Sequence, residues 1–446
     1  MHWQDDPLLI DLYELTMADA YLADGMTQTA VFEFFVRKLP ARRGFLIAAG
    51  LDQAMDYLTS LRFDDDALVW LSKSGRFSPR LVDYLRDFRF TGDVDAMPEG
   101  SVFFPNEPIL RVTAPMPEAQ LVETRLMNLL NFETLIASKA ARMVLAAPGK
   151  ELVDFGARRA HGAEAALLAA RASYIAGFSG TATVLAEPQF GIPIFGTMAH
   201  SFIEAHADES AAFERFALAR PEGLVLLIDT YDTERAAKKV VALAEKLARR
   251  GIKVNGVRID SGDLAAHARS VRVILDAGGL GDVTIFASGG LDEDDLARFT
   301  RAAAPIDGYG IGTSLDVSSD APALDCAYKL QEYAGIPRRK RSEGKATYPG
   351  RKQVWRARDG KGTFSKDVLS LIDERRAGEA LLKPVVRAGG RCAPKPSLDE
   401  IRAHARDQLA HLPEALRKLE PFAYPVEVSN ALQELAAECD RRMGFS

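Results

Sequence analysis

Cysteine is scarce in this chain: Cys326, Cys392 and Cys439 are the only ones in 446 residues. Three thiols so far apart exclude a disulfide framework or a cysteine-rich zinc module, and they fit a reducing compartment. The sequence also lacks an uncharged apolar run of membrane-spanning length, since Arg171 cuts the long alanine-rich stretch. The chain opens MHWQDDPLL, with no basic or apolar leader, so a soluble cytoplasmic protein without a membrane partner is expected. An excess of positive charge is missing as well. The formal net charge of -6 argues against a general nucleic-acid binder but leaves room for local basic pockets that hold phosphate. There is no low-complexity linker, and 47% hydrophobic residues are enough for a large buried core.

What is present is a rhythm. Between residues 151 and 315 short apolar runs alternate with amphipathic stretches. The runs are ELVDF from Glu151, GTATVLA from Gly180, IPIFG from Ile192, GLVLLIDT from Gly223, IKVNGVRID from Ile252, VTIFASGG from Val283 and DGYGIGT from Asp307. Continuous apolar strands without alternation suit a parallel sheet buried on both faces. Between them, residues 233–250 repeat Ala236, Val240, Leu243 and Leu247 at helical spacing. Such repeats predict an α/β fold, an irregular or incomplete TIM-like barrel. Ahead of it lie a strand from Ala30, helices broken at Asp64-Asp65-Asp66 and Ser78-Pro79, and short strands among proline and glycine turns from Asp93. The expected division is a β-rich α+β N-terminal domain over 1–130, the barrel over 131–335, and a C-terminal segment over 336–446 that packs back on the N-terminal domain.

In a parallel barrel, polar residues at the C-terminal ends of the strands converge on one face. The candidates are Asp154 with Phe155, Arg158 and Arg159; Thr181; His200; Asp229 with Asp232; Arg258 with Asp260 and Asp263; Ser288 with Gly289 and Gly290; and Gly310 to Thr313. The run 192–206 reads as a buried strand over 192–195 that opens at Gly196 to present His200, an acid, base, ligand or nucleophile. Each residue also has a plainer role, Asp229 or Asp263 as a helix cap and the glycines as turns. The chemistry divides by charge. SGGLDEDD from Ser288 and GYGIGTSL from Gly308 offer backbone N–H groups near helix starts, as phosphate requires. Asp229 and Asp260 offer oxygens for magnesium (Mg2+) or ribose hydroxyls. Phe155 beside Arg158 and Arg159 suits a flat anionic ring. Phosphate, sugar and an aromatic acid together point to phosphoribosyl transfer.

In order along the chain, DLYELTM, VDFGARRAHG, FSGTAT, FGTMAHSF, DTYDT, VRIDSGDL, ASGGLD, GYGIGTSL and PGRKQV resemble the motifs of the nicotinate phosphoribosyltransferase family. The resemblance implies a type II phosphoribosyltransferase that makes nicotinate mononucleotide and pyrophosphate from nicotinate and phosphoribosyl pyrophosphate. It further implies coupled ATP hydrolysis and a homodimer whose sites lie between a barrel and the partner's N-terminal domain. Tyr13 would stack on the pyridine ring across the dimer, with Phe155 on the other side. Arg158 and Ser201 would hold the carboxylate, with Thr181 nearby in the substrate site. His200 would be phosphorylated by ATP. Asp229 and Asp260 would face ribose, pyrophosphate and magnesium, and Arg258 would border the base. Gly289, Gly290, Gly310, Gly312 and Thr313 would cradle the 5-phosphate, and Arg37 and Lys352 would meet diphosphate or ATP. Ala182 stands where the related nicotinamide enzymes carry an aspartate, which favours the acid over the amide. Two rivals remain at this level: a quinolinate-using relative, and a catalytically silent ligand-binding barrel.

Overall fold

Six of the apolar runs form parallel strands: β1 (Glu151–Asp154), β2 (Gly180–Thr181), β3 (Leu224–Leu227), β4 (Val254–Ile259), β5 (Thr284–Ser288) and β6 (Gly308–Ile311). This is a computed structural model, and it describes residues 6–445; the acidic opening over 1–5 lies outside them. The sheet order is β2-β1-β6-β5-β4-β3. Read round a ring, every strand except β2 neighbours the next in sequence, and the last lies beside the first, Gly308 opposite Glu151 and Ile311 opposite Asp154. A doubly wound sheet reverses its order at a switch point; a barrel does not. Beyond β2 the ring continues only as an isolated parallel bridge from Thr181 to Ile194. Among the described residues no ladder joins that edge to β3. The sheet is a half-barrel, as an incomplete TIM-like barrel requires.

The seventh run, IPIFG, is therefore corrected: it is not a buried strand. Pro193 has no N–H to donate, its carbonyl accepts from Thr181 N at 3.1 Å, and Phe195 N donates to Thr181 O at 2.9 Å. Ile192 is buried while Ile194 is 40% exposed, so the segment drapes over the β2 edge. The helices between the strands fall where the amphipathic stretches lie. In Thr233–Ala248 the predicted stripe of Ala236, Val240, Leu243 and Leu247 is buried. Asp232 and Asp263 cap the helices that follow them, accepting from Arg235 N and Ala266 N.

The chain divides into two compact units, one made of Lys139–Asp320 and the other of the residues before and after it. This differs from the expected boundaries at 130 and 335. The strand Cys326–Tyr333, expected in the barrel, pairs antiparallel with Thr29–Val36 and so belongs to the other unit. That unit's main sheet also holds Pro108–Pro115, Asp93–Ala96 and Lys383–Arg387. Its breaks at Asp64 and Ser78 are helix N-caps. In the barrel unit, the buried Lys139 Nζ pairs with the buried Glu293 at 2.6 Å and with Asp320 at 2.9 Å. No helix among the described residues is long and apolar enough to cross a membrane.

Candidate active site

The C-terminal ends of β3, β4 and β5 are joined side chain to side chain. Asp229 follows β3 and turns one carboxylate oxygen, Oδ2, to Asp260 N at 3.0 Å and Ser261 Oγ at 2.6 Å. Asp260, after β4, accepts from the Ser288 hydroxyl at the end of β5. Gly289 then turns the chain at φ +102°, and a Cβ there would lie 2.0 Å from the Asp260 carbonyl oxygen, so only glycine fits. Asp229 is thus not a helix cap. Its other oxygen, Oδ1, is buried without a hydrogen-bond partner, which costs free energy unless something else completes it.

Across the sheet, Phe155 leaves β1 and its ring meets Phe286 at 5.9 Å between centroids. The Arg258 guanidinium lies 5.9 Å from the Phe155 centroid, within cation–π range. Arg258 donates to Thr197 Oγ1 at 2.7 Å, which ties the 192–199 segment to β4, while its Nε is buried and unpartnered. Burial pulls its pKa below the ordinary arginine value, an effect that the charges of Asp260 and Asp229 oppose. Arg158 is exposed on the 3-10 turn Ala157–Arg159 and has no hydrogen-bond or ion-pair partner among the described residues. Arg159 beside it reaches Thr313 Oγ1 at 3.3 Å. His200 opens the short helix His200–Glu204, with Ser201 exposed next to it. The His200 Nδ1 lies 3.1 Å from the Thr230 hydroxyl, which leaves Nε2 for chemistry.

Several expectations change. Thr181 is fully buried; its hydroxyl donates to Asp154 at 2.6 Å and accepts from Thr183 N, so it braces the strand end instead of meeting a substrate. Gly310 is buried in β6, and a Cβ there would strike the Phe155 ring at 2.5 Å; the glycine seats an aromatic side chain, not a phosphate. The helix after Gly290 gives no free N-terminus to an anion. Asp292 accepts from Asp294 N and Asp295 N, and Glu293, Asp294 and Asp295 crowd the first turn. Gly289 and Gly290 are exposed with positive φ, and Gly312 precedes the short helix Thr313–Asp316. These are the glycines left to approach phosphate. Sequence reading also passed over Thr197, Thr230 and Phe286 as partners of the site. Hydroxyls and rings of this kind carry no motif of their own.

Three expected residues belong to the other unit. Tyr13 is 41% exposed on the helix Leu12–Ala23, and partial burial with the nearby Glu123 and Glu14 keeps its phenol protonated well above its usual range. Arg37 pairs with Asp325 at 3.0 Å. Lys352 is a correction: it is buried, paired with Glu33 at 2.8 Å, and donates to Tyr348 O, Gly350 O and Gln331 Oε1. An ammonium has three N–H groups, and these contacts occupy them.

No group of three or more histidine, cysteine or acidic residues suited to a metal occurs among the described residues. The unpartnered Asp229 oxygen beside Asp260 still fits magnesium, which keeps several waters and often relies on one or two carboxylates plus substrate phosphates.

A parallel half-barrel with histidine, two aspartates and a cation-faced ring gathered at its strand ends defines a barrel enzyme. The comparisons are more particular. The chain matches the N-terminal domain model of nicotinate phosphoribosyltransferase over residues 8–131, the family's main model over 150–336 and its C-terminal domain over 375–436. It is 50% identical to the Mycobacterium tuberculosis nicotinate phosphoribosyltransferase pncB2, covering 95% of this chain and 92% of that one. It is 36% identical to the Bacillus subtilis nicotinate phosphoribosyltransferase over 96% and 94%. The crystal structure of human nicotinic acid phosphoribosyltransferase superimposes with a TM-score of 0.87 at 31% identity, covering 97% of this chain and all of that one. The chain belongs to the nicotinate phosphoribosyltransferase family.

Proposed function

We propose that this chain is a nicotinate phosphoribosyltransferase of the type II class that serves NAD salvage in the cytoplasm. It joins the ring nitrogen of nicotinate to the ribosyl carbon of phosphoribosyl pyrophosphate, and pyrophosphate leaves. The observation that carries the reading is the Phe155 ring in contact with Phe286 and with the half-buried Arg258 cation, with Arg158 free beside it. A flat, anionic ring suits that arrangement. Phe155 supplies a stacking face, and Arg158 with Ser201 binds the carboxylate. Asp229 and Asp260 face the ribose, where their charge favours the positive character that develops as the bond from the ribosyl carbon to pyrophosphate breaks. The buried Asp229 Oδ1 and Arg258 Nε, an acceptor and a donor without partners in the same cluster, suit a substrate that completes both.

Gly289, Gly290, Gly312 and Thr313 hold the 5-phosphate through backbone N–H groups and a hydroxyl. Asp229 and Asp260 would also hold magnesium, which when bound neutralises charge on the departing pyrophosphate. Arg37 exchanges its Asp325 contact for diphosphate or ATP. The active unit is a homodimer in which Tyr13 of one protomer stacks on the pyridine in its partner's barrel. His200 accepts a phosphoryl group from ATP at Nε2, with Nδ1 steadied by Thr230, and thereby tightens donor binding without attacking the sugar. The test is turnover with nicotinate, phosphoribosyl pyrophosphate, magnesium and labelled ATP. Nicotinate mononucleotide should form with acid-labile label on the protein, and His200→Ala should lose the label. Label that persists in His200→Ala overturns the phosphorylation site, and turnover of quinolinate in place of nicotinate overturns the substrate.

A further inference from the structure

Two carboxyl groups outside this scheme meet beneath it. Asp154, the last residue of β1, is fully buried, and Asp316, at the end of the short helix after β6, is 1% exposed. Asp154 has clear partners: Oδ1 accepts from Gly156 N at 2.7 Å and Oδ2 from Thr181 Oγ1 at 2.6 Å. Asp316 has none of this kind. Both of its oxygens are buried without a hydrogen-bond partner, and the group that acts on them is the Asp154 carboxyl. Gly156, whose N–H donates to Asp154, also lies against Asp316: a Cβ at that position would fall 2.2 Å from the Asp316 carboxyl carbon. Two carboxylates that accept only cannot bond to one another, and two buried charges in contact repel. A single proton between them resolves both difficulties.

We infer that Asp154 and Asp316 form a buried acid pair sharing one proton, and that this pair is a positioning device for the substrate ring. Asp154 grips the start of the segment 155–159 and the end of β2. Asp316 closes on Gly156 from the helix after β6. The segment so clamped carries Phe155, Arg158 and Arg159, so the aromatic face and the cations are locked to the Thr313 end of β6. The other charged or titratable residues on these and adjoining elements are Glu151 on β1, Tyr309 on β6, Arg158 and Arg159 on the 3-10 turn, and Glu164, Arg171 and Tyr174 on the helix Ala163–Ala176. The interactions acting on the two carboxyls come from each other, Thr181 and Gly156. Burial and the Asp154 charge push Asp316 up to about 10, so the shared proton is retained through neutral pH. Above that point both groups ionise, the contact becomes repulsive, and the segment loses its anchor.

The inference rests on the nicotinate reading for its kinetic readout, but the proton itself can be observed without turnover. Asp316→Asn keeps a donor that cannot ionise, whereas Asp316→Ala removes it. With nicotinate as the varied substrate, wild-type KM should rise as pH approaches about 10 while kcat changes less. Asp316→Asn should stay within a few-fold of wild type near neutrality and lose the alkaline rise. Asp316→Ala should raise KM by roughly tenfold or more across the range. The infrared difference between wild type and Asp316→Asn at neutral pH, in which other buried acids such as Glu14 cancel, should contain a protonated carboxylic-acid band. An Asp316→Asn variant that fails to fold, behaves like Asp316→Ala, or keeps the alkaline rise overturns the inference, as does absence of the band. Wild-type protein with the band but without nicotinate turnover overturns the functional reading alone.

Discussion

On the proposed reading, Arg158 is the residue on which substrate choice turns. Nicotinate and nicotinamide share a shape and differ by a charge, so a pocket separates them through a polar group. Arg158 has no protein partner to satisfy it, and Ala182, whose N–H donates to Asp154 O at 2.8 Å, offers no side chain to an amide. A charge-assisted hydrogen bond to the carboxylate contributes about 2 kcal/mol or more, roughly thirty-fold in kcat/KM. Arg158→Ala should lose that much with nicotinate and little with nicotinamide. Equal losses on the two substrates, measured side by side, would mean that the arginine does not read the carboxylate.

At the scale of elements, the two glycines after β5 do different work. Gly289 is held at φ +102° against the Asp260 carbonyl, whereas a Cβ on Gly290, at φ +69°, meets open space. Gly290→Ala should cost about 1–2 kcal/mol of stability from its left-handed backbone alone. Gly289→Ala must also displace Asp260, and should lower kcat/KM for phosphoribosyl pyrophosphate by about a hundred-fold. Thermal denaturation with kinetics separates the two effects, and equal penalties at both sites would contradict the geometry. The βα rhythm was legible in the sequence because strands covered on both faces must be continuously apolar. IPIFG satisfied the same composition and still failed as a strand, since Pro193 removes a ladder donor. Lys352 misled for another reason. Its partner Glu33 lies 319 positions away, and no local pattern reports a burial that depends on so distant a side chain. Asp154 and Thr181 were legible as strand-end residues, but their bond to one another arises from the β1–β2 pairing. Asp316, which completes that cluster, sits among small residues after β6 with no motif to mark it.

For the whole molecule, buried acids set how stability responds to pH. Glu14, fully buried, accepts from Thr124 N and Oγ1, yet burial outweighs these bonds and pushes its pKa up to about 8. A carboxyl raised in the folded state contributes stability that is fully present below its unfolded value, near 4.3, and is lost as pH rises through its folded value. Asp316 acts in the same direction up to about 10. Glu14→Gln should therefore gain melting temperature relative to wild type as pH increases from about 5 to about 9. A difference that stays flat over that range would show that Glu14 is not held protonated.

The Lys139–Asp320 ion pair has a wider consequence, because these are the first and last residues of the barrel unit. The chain passes from the other unit into this one at Ser138–Lys139 and back at Asp320–Ala321, and the ion pair clasps these two crossings together. Closing a long excursion costs entropy that grows only slowly with its length, and a fixed doorway makes that cost independent of what is built beyond it. The barrel's loops are thus free to lengthen, shorten or change their chemistry while the host fold receives its chain back at an unchanged address.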